Sequence, residues 1–209
     1  MLRAVVLLGL ATATANGALA QTEFQVGTDY NRLTPTQPTS SSPQQVEVAE
    51  IFWYGCPHCY NFDPYLNDWE PRAADYVNFV RIPAVWNPLL RLHAQAFYTA
   101  QVLGKGEEMH QPLFAEIHQN GNYLDTPDKL AEFFARFGVD REEFTRTFNS
   151  REVNTALQRA EELNQRYQIS SVPTIVINGK YTSNASMVGS YERLIELIDT
   201  LAASERGAD

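Results

Sequence analysis

The chain holds only two cysteines among its 209 residues, Cys56 and Cys59, and where they sit constrains the fold more than any other feature. They follow Val46 to Tyr54, a run rich in β-branched and aromatic residues that Gly55 stops, which predicts a buried central strand. Pro57 suits the first turn of a helix, where its missing N–H is not needed, so a helix is predicted to open at Cys56. Two cysteines on one helical turn are close enough to bridge. Cys56 is expected to face solvent at the positive end of the helix dipole, its thiolate held by free backbone N–H groups and by a protonated His58. Cys59, one turn in, is expected to be buried. A lowered thiolate pKa favours the dithiol over the disulfide and makes Cys56 a good leaving group, so the pair should oxidise other thiols.

Zinc is the main rival for a C-x-x-C motif. A structural zinc site needs four ligands, and the other histidines, His93, His110 and His118, form no paired motif. They read as surface or half-buried helix residues. Haem attachment would need His directly after the second cysteine, where Tyr60 stands. The charge balance, 16 Lys plus Arg against 25 Asp plus Glu, offers no basic patch to displace counterions from phosphates, and nucleic-acid binding is set aside.

Residues 1–20 differ in kind from the rest. Arg3 precedes an apolar run from Ala4 to Leu10, and Ala18-Leu19-Ala20 fits a small-x-small cleavage site, so a secretory signal peptide is expected. The run is shorter than the ~20 residues that span a bilayer. Arg3 is its sole charge, so cleavage would move the net charge from −9 to −10. A Pro/Ser/Thr stretch from Thr34 to Pro43 reads as an exposed lead-in. Beyond the cysteines, Pro64 and Pro71 are expected to break or kink the helix, and Tyr76 to Ile82 alternates as a second strand.

No strand pattern appears from about residue 87 to 151. Helices are predicted over Leu89–Leu103, Gln111–Gln119, from the Thr126 cap to Phe137, and from Asp140. A longer helix, Val153–Tyr167, leads to a strand over Ser171–Ile177, an Asn178-Gly179 turn, a further strand from Lys180-Tyr181, and a closing helix over Tyr191–Leu201.

Three stretches together resemble the DsbA family of bacterial periplasmic thiol:disulfide oxidoreductases. They are Glu50 to Tyr60 with its Cys56-Pro57-His58-Cys59, the helical insertion, and Val172 to Tyr181, with Gly27-Thr28-Asp29-Tyr30 nearer the start. Pro-His between the cysteines is specific for this branch, since thioredoxins usually carry Gly-Pro. The resemblance implies an α/β thioredoxin fold with an inserted helical domain: thioredoxin-like residues 21–86 and 152–209, insertion 87–151. It implies Cys56 as nucleophile, Cys59 as its buried partner, Pro57 and His58 as residues that tune the pair, and Pro173 as a cis-proline. Val172 would offer its backbone to a substrate strand. Glu50 would be a buried acid trading protons with Cys59, unless it lies at the solvated end of its strand. A strongly oxidising, low-pKa pair is the property for which DsbA is the type example.

The same resemblance implies no cofactor, substrates that are exported proteins with free thiols, and reoxidation by a DsbB-like quinone-linked membrane oxidase. A periplasmic monomer is expected. Disulfide isomerase or reductase activity is the nearest rival, although the short segment before the first strand leaves no room for an isomerase's dimerisation domain. A chaperone-like module that holds unfolded chains without turnover is the rival from another class.

Overall fold

The computed structural model describes residues 24–207. The signal-peptide reading of residues 1–20 lies outside the described residues.

Strand β2 (Val46–Phe52) is buried along all seven residues and lies at the heart of the sheet. Its side chains alternate between two cores. Val46 and Val48 point to a cluster with Phe62, Leu66 and Trp69 of α1 (Pro57–Trp69) and Leu194, Leu197 and Ile198 of α8 (Tyr191–Arg206). Ala49 and Ile51 point the other way, to Leu90 and Ala94 of α2 (Pro88–Val102) and Val153 and Leu157 of α6 (Arg151–Arg166). Helices on both faces leave no solvated side, which explains why five of the seven residues are apolar rather than every second one.

The sheet runs β1-β5-β4-β2-β3, with β1 at Asn31–Arg32, β3 at Val77–Pro83, β4 at Thr174–Ile177 and β5 at Tyr181–Ser183. β3 pairs parallel with β2, whereas β4 pairs antiparallel with it. Between β3 and α6 lie α2, α3 (Gly106–His118), α4 (Pro127–Ala135) and α5 (Arg141–Phe148). They enclose a third core of Phe114, Phe133, Phe134 and Phe144 that reaches Phe52, Tyr54 and both cysteines. The expected caps are in place: Thr126 accepts from the Lys129 N–H and Asp140 from the Glu143 N–H.

Several boundaries differ from expectation. β2 ends at Phe52 and not at Tyr54, because Trp53 to Cys56 form a turn closed by the Cys56 N–H on the Trp53 carbonyl (3.0 Å). Pro64 does not end α1, which continues to Trp69 because Phe62, Leu66 and Trp69 are buried beneath it and outweigh the lost backbone bond. α3 begins at Gly106, before the expected Gln111, and runs through Pro112, its apolar face anchored by Met109, Leu113 and Ile117. β4 starts at Thr174 and not at Ser171, and α8 reaches Arg206 and not Leu201. The short elements β1 and α7 (Ala185–Val188) carry too few residues for a periodic signal. The lead-in at residues 34–43 is largely exposed, yet pinned: Gln37 N–H donates to the Gly179 carbonyl, and the Ser40 and Ser41 hydroxyls donate to the buried Glu47. Asn178 and Gly179 both have positive φ, as that turn requires.

Candidate active site

Cys56 is the N-cap of α1 in extended backbone conformation, and Pro57 occupies the first helical position. This arrangement turns the first free N–H groups of the helix, those of His58 and Cys59, towards the Cys56 sulfur. Cys56 is not open to solvent as expected. Only 7% of it is exposed, because its thiol lies under the loop before β4 and donates to the Val172 carbonyl at 3.4 Å. Its pKa is lowered to about 6, above all by the Cys59 thiol bonded to it, against the opposing effect of burial. The N–H groups of Cys59 and His58 follow, and the His58 charge is the smallest of these influences. His58 therefore contributes more through its backbone than through its ring.

Cys59 is fully buried, and burial pushes its thiol well above the ordinary value. The hydrogen bond to Cys56 and the nearby Glu50 and Cys56 charges act in the same direction. One helical turn thus holds two thiols driven apart in acidity, one poised as a thiolate at neutral pH and the other held protonated.

Glu50 does not lie at a solvated strand edge. It is 1% exposed, in register with Arg81 of β3 on one side and Ile175 of β4 on the other. Burial raises its pKa to about 8, partly opposed by Arg81, whose Nε lies 3.5 Å away. Arg81 also reaches Asp63 (3.6 Å) and Glu70 (3.7 Å) and donates to Asn67 Oδ1 (2.7 Å). An acid at this place is protonated near neutrality and lies within electrostatic reach of both cysteines.

The Val172–Pro173 peptide bond is cis. Both residues line a cleft of about 330 Å³ with His58, Ser171, Asn184 and Tyr191, directly beside the Cys56 sulfur. Among the described residues no group of His, Cys, Asp and Glu is arranged to hold a metal ion.

Gly55 is required by close approach. The Trp53 indole folds over it, so an added Cβ would overlap the ring. That indole donates to His93 Nδ1 (3.0 Å), and His93 Nε2 donates in turn to the Tyr123 carbonyl (3.0 Å). Gly55→Ala should displace Trp53 and cost about 1–3 kcal/mol, the usual range for overpacking. Denaturant melts followed by tryptophan fluorescence will check this; an unchanged midpoint and spectrum would refute it.

Sequence reasoning missed the histidines. His93 and His110 are buried rather than surface residues, and burial lowers the pKa of both. His110 bridges Asp63 Oδ1 and the Tyr54 hydroxyl, both at 3.0 Å. For His110 the available signal was its spacing: His110, Phe114 and His118 recur every four residues and so share one helix face.

A reactive dithiol at the start of the helix that follows a central β-strand, with a cis-proline loop beside it, defines a thiol:disulfide oxidoreductase of the thioredoxin fold. Here that fold carries an inserted set of helices. Comparison with known proteins narrows the class. The DSBA-like thioredoxin domain matches residues 79–196, a stretch that begins beyond both cysteines. Thiol:disulfide interchange protein DsbA of Pseudomonas aeruginosa is 38% identical over 200 residues, covering 95% of this chain and 94% of its own. The Azotobacter vinelandii protein of the same name is 37% identical over 198 residues, covering 95% and 92%. The crystal structure of Pseudomonas aeruginosa DsbA superposes with a TM-score of 0.84 over 88% of this chain and 96% of its own, at 38% identity. That of the oxidoreductase DsbA from Xylella fastidiosa gives 0.82 over 88% and 98%, at 35% identity. The chain belongs to the DsbA family.

Proposed function

We propose that Cys56 and Cys59 shuttle between disulfide and dithiol to oxidise exported proteins, with Cys56 as the sulfur that substrates attack. The carrying observation is the opposed acidity of the two thiols, about 6 for Cys56 against a strongly raised value for Cys59. In the forward step a substrate thiolate attacks Cys56 of the disulfide. A substrate–Cys56 bond forms, the Cys56–Cys59 bond breaks, and Cys59 leaves as a thiolate that takes a proton. Glu50, protonated near neutrality and felt electrostatically by Cys59, supplies that proton in this reading. A second substrate thiolate then attacks the substrate sulfur and releases Cys56 as its stable thiolate. Two electrons pass from substrate to protein, and the substrate gains one disulfide.

Val172 and Pro173 form the wall against which the substrate strand lies, and Pro57 and His58 shape the turn that holds Cys56. Residues 87–151 form the inserted domain on a thioredoxin-like body of residues 21–86 and 152–209. The protein acts in the periplasm as a monomer after removal of residues 1–20, and a DsbB-like quinone-linked membrane oxidase restores its disulfide. No helix among the described residues is long and apolar enough to cross a membrane.

The test is to mix the oxidised protein with a reduced, unfolded protein substrate and follow the loss of free thiols. Wild type should remove two thiols per molecule, and Cys56→Ser should remove none. Cys56→Ser that still suppresses substrate aggregation, with wild type transferring no disulfide, would establish a holdase instead.

A further inference from the structure

Helix α3, supplied by the insertion, grips the reactive turn from both sides, and the side chain that does most of this lies at the helix's surface end. His118 is only half-buried. Its Nε2 lies 2.8 Å from the Tyr54 carbonyl, an acceptor, so this nitrogen carries the proton and donates. The same ring stacks on Tyr60, with centroids 4.8 Å apart and planes 11° from parallel. Tyr54 stands two residues before Cys56, and Tyr60 directly follows Cys59. Two further contacts come from α3 and its C-cap residue, one from the helix's first half and one from the position after His118. His110 binds the Tyr54 hydroxyl, and the Gln119 side chain donates to the Tyr60 hydroxyl.

We infer that His118 is a positioning residue for the dithiol, fixing the turn before Cys56 through the Tyr54 carbonyl and the helix start after Cys59 through the Tyr60 ring. The hydrophobic core does not need it, since Leu113, Phe114 and Ile117 already bury α3. Its polar contact instead goes to the carbonyl at the centre of the turn Trp53–Cys56. The Cys56 thiolate is held by groups one turn away, the Cys59 thiol and the N–H groups of His58 and Cys59, and these bonds weaken steeply as geometry loosens. A turn freed from His118 lets the sulfur drift from those donors. The inference rests on Cys56 being the low-pKa nucleophile proposed above.

The experiment is a titration of Cys56 thiolate absorbance against pH, with a parallel equilibration in glutathione buffers, on wild type, His118→Phe and His118→Leu. His118→Phe keeps an aromatic face for Tyr60 and loses the donor; His118→Leu loses both. The Cys56 midpoint should rise by roughly half a unit in His118→Phe, about threefold in the thiolate equilibrium, and further in His118→Leu. The fraction oxidised in glutathione should rise in step. Denaturant midpoints measured on the same samples separate this from a structural role: lower stability with an unmoved titration overturns the inference. If neither variant folds, His118→Gln, which keeps a side-chain N–H donor for the Tyr54 carbonyl but loses the ring stacked on Tyr60, should still move the titration in the same direction. An unmoved titration there overturns the inference as well. A wild-type titration without any low-pKa thiolate would instead overturn the reading of Cys56 itself.

Discussion

The reduced protein should resist denaturant better than the oxidised protein at pH 8.5, and the order should reverse at pH 5. The folded-state pKa of Cys56 is lowered to about 6 from an ordinary value of 9.0. Stabilisation of the folded dithiol is therefore fully present only above the unfolded pKa and is lost as pH falls through 6. Three units would be worth about 4 kcal/mol in full, and at pH 8.5, just below the ordinary value, roughly 3 kcal/mol of it is expressed. The disulfide form lacks the thiolate but has a restricted unfolded chain, worth about 2 kcal/mol for so short a loop. At pH 5 only the loop effect survives and the oxidised form leads. Between pH 6 and 9 the thiolate effect grows until it overtakes the loop effect. Glu50 titrates in the same range with the opposite sign, since its raised pKa makes stability fall as pH rises from about 4.5 to 8. It is present in both redox forms, so to first order it cancels in their difference. The measurement is the difference between reduced and oxidised urea midpoints across pH 5 to 9. A difference that does not vary with pH would sink the argument.

The strand, the helix start and the dithiol were legible in the sequence because each carries a local signal. Five of the seven residues from Val46 to Phe52 are apolar because both faces of the strand are covered, and Pro57 suits a first helical turn, where its missing N–H is not needed. The ends of elements were less legible, since they are decided by packing. Pro64 and Pro112 each lie inside a helix that local rules would stop, and each is overridden by apolar residues spaced along the buried face. Relations between distant segments were not legible at all. That Val172 covers Cys56, that Arg81 faces Glu50, and that His118 reaches Tyr54 are contacts across 116, 31 and 64 positions of sequence. A single sequence gives no term that couples such positions. The same blindness led to Cys56 being read as solvent-facing: the loop that covers it comes from the other end of the chain. It also inflated the role of the His58 ring, which is near in sequence, over that of the Cys59 thiol, which forms the stronger bond.

That ranking leads to the second large effect. Cys59→Ala should raise the Cys56 pKa by about one to two units, because it removes the first-ranked influence on the thiolate. A hydrogen bond to a charged group is worth about 1.5–3 kcal/mol, and each unit corresponds to about 1.4 kcal/mol. The N–H groups of His58 and Cys59 remain, so the pKa should stay below 9. Alanine is preferable to serine here, since a hydroxyl in a fully buried site would need a partner of its own. The variant also lacks the sulfur that would expel a bound partner. Offered a disulfide-bonded protein, Cys56 should attack it, release one thiolate, and remain joined to the other sulfur. Such adducts should appear on non-reducing gels and vanish on reduction, whereas wild type should show few because Cys59 displaces the partner. Thiolate absorbance against pH gives the first readout and the gels the second. A titration midpoint still near 6 in Cys59→Ala would mean that the helix N–H groups alone hold the charge. Adducts as scarce as in wild type would mean that Cys59 is not the resolving sulfur. The two outcomes are independent, because the first concerns how Cys59 stabilises a charge and the second how it breaks a bond.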